Sequence, residues 1–291
     1  MKIKSFIVAL GVIIGIAIYF HQNTMEQKLQ KLISDKDCDV GIAVLHGNKQ
    51  WLVTNYETYP MMSVFKIFVA AAVLDKVEKE NVSLDKKILI SKDMIYPTYS
   101  PLRDKIQNYP YQTTIEELLF YMIAQSDNVA TDVLISYLGG INALNQFLEV
   151  VGFSQIVIKV NERQMSEDIQ TQKFNVAQPY DVALFMKSIL EGNILSAKQK
   201  EIWMNFMQQT QTGKDKLKAG LPRDVVIGHK TGSSDRDDKG VKIGDNDVGF
   251  VFLPNGEIYY IAVFLKNSKM NDEKNANLIS QISELVYDEL N

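Results

Sequence analysis

The stretch Ile67 to Leu74, IFVAAAVL, is apolar at every position. A helix that is apolar all round must be covered on all sides, so the chain has to build a core around this one. Lys66 stands at its head, and Ser63 stands three residues earlier, in YPMMSVFK. If a helix starts near Ser63, that spacing places the hydroxyl and the amine on one face, about one turn apart. Serine alone is a weak nucleophile and needs a neighbouring base. A lysine amine serves as that base only when desolvation or a second cation depresses its pKa. For an isolated S-x-x-K the ordinary reading is an N-cap serine and a solvated first-turn lysine.

The remaining composition bounds the function. At 291 residues the chain is long enough for one large domain or two interleaved ones. A net charge of -4 does not suggest a nucleic-acid partner. The single cysteine, Cys38, rules out an internal disulfide framework and a cysteine cluster for zinc, and the three histidines have no HExxH spacing. Lys2 and Lys4 precede the apolar run Phe6 to Phe20, which reads as a signal h-region or an uncleaved anchor within residues 1–24. Export to the periplasm is the expectation.

Strand patterns occur at both ends of the mature chain. Val40 to Leu45 and Gln50 to Asn55 form a hairpin across HGNK; Asp224 to Gly232, Asp247 to Gly256 and Glu257 to Asn267 return near the C-terminus. Between them the periodicity is mainly helical, from Ser63 to about Gln211, and an amphipathic helix closes the chain. The expected fold is α+β: an antiparallel sheet built from 25–60 and 212–291, flanked by helices, with an all-helical domain, 61–211, inserted. Val160 to Asn175, VNERQMSEDIQTQKFN, is a polar stretch without helical periodicity and is expected to be a loop.

Ser63 and Lys66 are not isolated. Ser126, Asp127 and Asn128 spell SDN at a junction of two helices, and Lys230, Thr231 and Gly232 spell KTG on a strand. S-x-x-K, S-D-N and K-T-G in this order mark class A β-lactamases and penicillin-binding proteins. The chain resembles the class A serine β-lactamases over essentially its mature length. It is most similar to a branch with an altered omega loop and an HKTG strand, which includes extended-spectrum cephalosporinases.

That resemblance implies the site. Ser63 is the nucleophile, and Lys66 and Glu162 are both candidate bases for acylation. Glu162 holds the water that hydrolyses the acyl-enzyme. Ser126 passes a proton to the leaving lactam nitrogen, and Asn128 binds the substrate's amide side chain and Lys66. Lys230, Thr231 and Gly232 hold the substrate carboxylate edge, with the Lys230 charge expected to depress the pKa of Lys66. The amides of Ser63 and Ser233 form the oxyanion hole. Tyr99 is an aromatic wall of the cleft, with Tyr96 as competitor. The family's omega loop carries an Asn four residues after its Glu, where Ser166 stands, and closes its neck with an Arg–Asp pair, where Val160 and Asn175 stand. The auxiliary arginine of many relatives is absent. One of its two places corresponds to about Asp245 and the other to Lys216, so Lys216 is the expected auxiliary cation, with Arg223 as competitor.

The implied function is hydrolysis of penicillins and cephalosporins by a monomer without cofactor or metal. The alternatives are a D-alanyl-D-alanine carboxypeptidase or transpeptidase, and a β-lactam sensor that stays acylated; Glu162 argues against both. His229, next to Lys230, points to the opposite face of its strand and reads as structural.

Overall fold

The computed structural model describes residues 24–291. The apolar run Phe6 to Phe20 lies outside the described residues. Among those described, no helix is long and apolar enough to cross a membrane.

A five-stranded antiparallel sheet forms the frame. Its strands are β1 (Asp39–His46), β2 (Lys49–Val53), β7 (Ile227–Ser233), β8 (Lys242–Phe252) and β9 (Ile258–Ser268), in the order β2-β1-β9-β8-β7. The two chain ends interleave as the sequence predicts, because β1 pairs with β9 from Asp39↔Lys266 to His46↔Tyr259. Side chains alternate across β9. Tyr260, Ala262 and Phe264 enter one apolar core, while Tyr259, Ile261, Val263 and Leu265 enter the other. Burial on both faces explains why this strand reads as a continuous apolar run. One face is covered by α1 (Met25–Ile33) and the C-terminal α10 (Asp272–Leu290).

The other face carries the insert: α2 (Lys66–Lys79), α3 (Pro101–Lys105), α4 (Ile115–Ala124), α5 (Asn128–Leu138), α6 (Ile141–Val150), α7 (Glu162–Glu167), α8 (Pro179–Leu190) and α9 (Ala197–Gln208). Side-chain oxygens of Thr114, Asp127 and Ser196 cap the N-termini of α4, α5 and α9, accepting the N–H groups that the first turn leaves free. The residues Ile67 to Leu74 are all buried, as their composition requires.

Three expectations change. The insert is not all helical: β3 (Tyr59–Pro60) pairs with β6 (Val176–Ala177), and β4 (Lys87–Ile90) with β5 (Tyr111–Thr114). The stretch 160–175 is not wholly loop, because Glu162–Glu167 forms the short helix α7. Its capping box is written in the sequence as NERQ. Asn161 Oδ1 accepts from Gln164 N–H, and Gln164 Oε1 accepts from Asn161 N–H. Finally, β8 starts at Lys242 rather than Asp247. The polar run Asp245-Asn246-Asp247 lies within the strand and is buried, satisfied by side-chain hydrogen bonds.

Candidate active site

Ser63 lies in the 3₁₀ turn Met62–Phe65 that leads into α2, and the Lys66 N–H donates back to Ser63 O. The residue before the nucleophile, Met62, has φ 48°, a left-handed conformation that a long side chain adopts only when its surroundings enforce it. The enforcement is visible. Asn246 Nδ2 on β8 donates to Pro60 O at 2.9 Å and Met61 O at 3.1 Å, and Met61 N–H donates to Asn175 O. On the facing strand β7, Gly232 is the closest approach: a Cβ there would sit 2.4 Å from Met61 O and 3.2 Å from Ser63 N. Only glycine lets KTG run this near the serine turn.

Lys66 is fully buried, and an uncompensated buried ammonium is strongly destabilising. Here its Nζ donates to Ser126 O at 2.8 Å and to Asn128 Oδ1 at 2.7 Å. Glu162 Oε1 lies 2.9 Å away, a close ion pair whose geometry is off the axis of a directed hydrogen bond. Ser126, with φ 60°, stands between two lysines. Its Oγ is 3.4 Å from Lys66 Nζ and accepts from Lys230 Nζ at 2.8 Å. Burial first, and the Lys66 charge second, push the Lys230 pKa well below the ordinary lysine range.

Asp127 is tied down as a loop brace. It accepts from Ser100 Oγ, from Leu102 N–H and from Ala130 N–H. Asn128 Nδ2 donates to Thr98 Oγ1 at 2.8 Å. His229 is buried on the opposite face of β7 from Lys230, with Nδ1 3.0 Å from Asp247 Oδ1.

A cavity of about 430 Å³ opens over Ser63 and is lined by Tyr99, Asn128, Glu162 and Ser233 among others. A second of about 330 Å³ joins Ser63 to Ser126, Lys216, Thr231 and Ser233. The structure thus gathers Ser63, Lys66, Ser126, Asn128, Glu162, Lys230, Thr231, Gly232 and Ser233 around one cleft. Tyr99 is exposed on the cleft wall, whereas Tyr96 is buried and donates its hydroxyl to Asp132 Oδ2 at 2.8 Å. Of the two tyrosines, Tyr99 lines the cavities that Ser63 lines, and Tyr96 does not.

Lys216 also reaches the cleft, yet not as a free cation. Its ammonium pairs with Asp245 Oδ1 and lies 3.4 Å from Asn246 O. The two places considered for an auxiliary cation are in contact with each other, and Asp245 takes part of the charge.

The omega-loop anchors include residues that sequence reasoning passes over. Asp132 Oδ1 accepts Glu162 N–H at 2.9 Å, and its Oδ2 accepts Arg163 N–H at 2.9 Å. Together with Asn161 this satisfies the first three N–H groups of α7. Asn175 closes the neck. Its Oδ1 accepts from Lys159 and Val160 N–H, and its Nδ2 donates to Val160 O at 2.9 Å. Ser166 Oγ turns back to Arg163 O.

A family profile described as the beta-lactamase enzyme family matches residues 24–290. The chain belongs to this family. It is 40% identical over 267 residues to a β-lactamase of Bacteroides uniformis, covering 91% of this chain and 90% of that one. Among solved structures it is similar to a class A β-lactamase from Bacteroides cellulosilyticus, at 42% identity and a TM-score of 0.88, over 92% of this chain and 97% of that one. The TLA-3 extended-spectrum β-lactamase superposes with a TM-score of 0.90 at 36% identity, over 91% and 98% of the two chains. The antiparallel sheet with its helical insert is the class A architecture that these relatives share. Among the described residues no group of three or more His, Cys, Asp or Glu side chains is arranged to hold a metal.

Proposed function

We propose that the chain hydrolyses the amide bond of β-lactams through an acyl-enzyme on Ser63, and clears that ester with water directed by Glu162. The observation that carries this reading is the buried carboxylate of Glu162, 2.9 Å from Lys66 Nζ and on the same cavity as Ser63. A sensor has no use for a base that directs water onto the ester, and this buried carboxylate supports one.

In acylation, Ser63 Oγ bonds to the lactam carbonyl carbon, and its proton passes into the Lys66–Glu162 pair. The oxyanion is received by the N–H groups of Ser63 and Ser233. The C–N bond breaks as Ser126 gives its proton to the nitrogen. Lys230, 2.8 Å behind the Ser126 hydroxyl and with a depressed pKa, is suited to replace it. The proton held by the Lys66–Glu162 pair returns to Lys230 through Ser126, whose Oγ is 3.4 Å from Lys66 Nζ, so that Glu162 is ionised again. In deacylation, water bonds to the ester carbonyl carbon and gives a proton to Glu162. The carbonyl–Oγ bond breaks, and Oγ recovers a proton. Asn128 and Tyr99 receive the acyl side chain; Lys230, Thr231 and Lys216 attract the substrate carboxylate along the strand edge held open by Gly232.

Extended-spectrum relatives support cephalosporins as well as penicillins among the substrates, and so support a role in β-lactam resistance. The apolar run Phe6 to Phe20 supports export to the periplasm. The domain division 25–60 with 212–291 against 61–211, and a monomeric state, belong to the same reading. The deciding experiment is turnover of a chromogenic cephalosporin, followed by intact-protein mass spectrometry after penicillin exposure. The parent should turn over and show little adduct. Ser63→Ala should show neither turnover nor adduct. Glu162→Ala should accumulate an adduct that the parent clears. A parent that acylates without turnover would make the chain a penicillin-binding protein or sensor.

A further inference from the structure

We infer that Asp245 sets how strongly the cleft favours substrates with a free carboxylate, because it competes with that carboxylate for the Lys216 ammonium, and that Lys242 governs the strength of the competition. The inference rests on the reading of the site above, in which Lys216 attracts the substrate carboxylate.

Lys216, Asp245 and Lys242 are all buried. Asp245 Oδ1 takes the Lys216 ammonium, while its Oδ2 lies 3.6 Å from Lys242 Nζ and accepts from Asn275 Nδ2 at 3.1 Å. Lys242 Nζ is in turn 2.9 Å from Asp272 Oδ1, which Arg236 Nη2 meets at 2.6 Å. The result is a row of alternating charge, Lys216–Asp245–Lys242–Asp272–Arg236, with three cations and two carboxylates. One positive charge is left over. Lys216 is the end of the row that lines the smaller cavity, with Ser63, Thr231 and Ser233. Asp245 does not line that cavity, so Lys216 is the member of the pair that a substrate meets.

Other contacts already place Lys216. Its N–H donates to Gly213 O at 3.0 Å, its carbonyl accepts from Ala219 N–H at 2.9 Å, and the next N–H, of Leu217, donates to Asp247 Oδ2 at 3.1 Å. Its stem packs over Gly213, where an added Cβ would lie 3.6 Å from Lys216 Cδ. Asp245 therefore acts on the charge of the lysine rather than on its place. A buried ion pair is screened little, so an arriving carboxylate meets an ammonium already partly neutralised. Lys242 and Asn275 draw the Asp245 charge toward Oδ2 and return part of the Lys216 charge to the cleft. Discrimination between substrates is a difference of affinities, and here a fixed competitor lowers the affinity for the acid alone.

The measurement is the ratio of kcat/KM for a chromogenic cephalosporin to that for its methyl ester, which lacks the carboxylate charge. A loss of folded enzyme lowers both values and leaves their ratio unchanged. Asp245→Asn should raise the ratio roughly three- to tenfold, the size of one charge-assisted contact. Lys242→Met should lower it roughly threefold, because Asp245 then turns wholly to Lys216. In an Asp245→Asn background Lys242→Met should change the ratio by less than about twofold, since Lys242 acts through Asp245. An unchanged ratio in Asp245→Asn overturns the inference. So does a lowered one, which would mean that Asp245 positions the lysine. A parental ratio in Lys242→Met, or its full loss persisting beside Asp245→Asn, overturns the part given to Lys242. A parental ratio in Lys216→Ala overturns the underlying assignment of Lys216 instead, whatever Asp245 does.

Discussion

The carboxylate of Asp132 holds the backbone of Glu162, with Oδ1 accepting the Glu162 N–H at 2.9 Å. The acid proposed to direct water is therefore fixed by a second acid on a neighbouring helix. Burial, and then the Glu162 charge, raise the Asp132 pKa from the ordinary 3.8 to about 6. A raised carboxyl pKa stabilises the fold fully below about pH 4, and that contribution is lost as pH rises through about 6. Asp132→Asn removes the titration. The stability difference, parent minus variant, should therefore be larger at pH 4 than at pH 7.5, by at most about 3 kcal/mol. Urea unfolding of both proteins at the two pH values checks this. A difference independent of pH would show that Asp132 does not titrate in this range.

Asn175→Ala should weaken the omega-loop neck. The Asn175 side chain is the partner of two N–H groups and one carbonyl, and the residue is fully buried. Leaving such groups unpartnered costs about 2 to 4 kcal/mol. A calorimetric Tm lower by roughly 5 to 10 °C is expected. Deacylation should suffer more than acylation, since Glu162 lies on the loop and Ser63 does not. An unchanged Tm would mean that the loop is held elsewhere.

Gly232→Ala should fold yet acylate slowly. The added methyl meets Met61 O, a backbone atom that cannot swing aside, so β7 must retreat from the serine turn. A displacement approaching 1 Å at a reacting centre costs about 10- to 100-fold. Stopped-flow acylation with a reporter substrate, alongside a thermal melt, separates this from unfolding. Parental acylation would show that the strand edge has slack.

Lys216→Ala should raise KM roughly three- to tenfold and change kcat less, as expected for a charge-assisted contact of about 1 kcal/mol made in ground and transition states alike. The effect is kept small because Asp245 already holds the ammonium. Steady-state kinetics on one cephalosporin suffices. Parental kinetics here together with an impaired Arg223→Ala would move the role to Arg223, an exposed residue in the turn before β7.

Much of the candidate site is legible because its chemistry is written in short words. SVFK, SDN and KTG each place their residues by local geometry alone, and the structure needs only to bring three such segments together. What escaped were partnerships over distance. Asp132 sits in an ordinary helical pattern, and nothing near it says that its acceptors meet N–H groups 30 residues away. Lys216 and Asp245 looked like alternatives while each was read alone. The start of β8 was hidden for a physical reason: strand patterns are read from apolar alternation, and Asp245, Asn246 and Asp247 are buried polar groups satisfied by partners from elsewhere in the fold. The helix α7 is a different case, since its capping box was present in NERQ and could have located it.

The neck closed by Asn175 has a consequence for how this loop can change by mutation. An ion pair across a neck has two side chains, and losing either one opens it. Here the close partners of the Asn175 side chain are the main-chain atoms of Lys159 and Val160, which every substitution short of proline preserves, with Met165 Sδ a weak further contact at 3.9 Å. The clamp therefore exposes a single side chain to chance replacement. Position 160 is freed to vary with packing alone, and drift on that side of the loop can proceed without unfastening it.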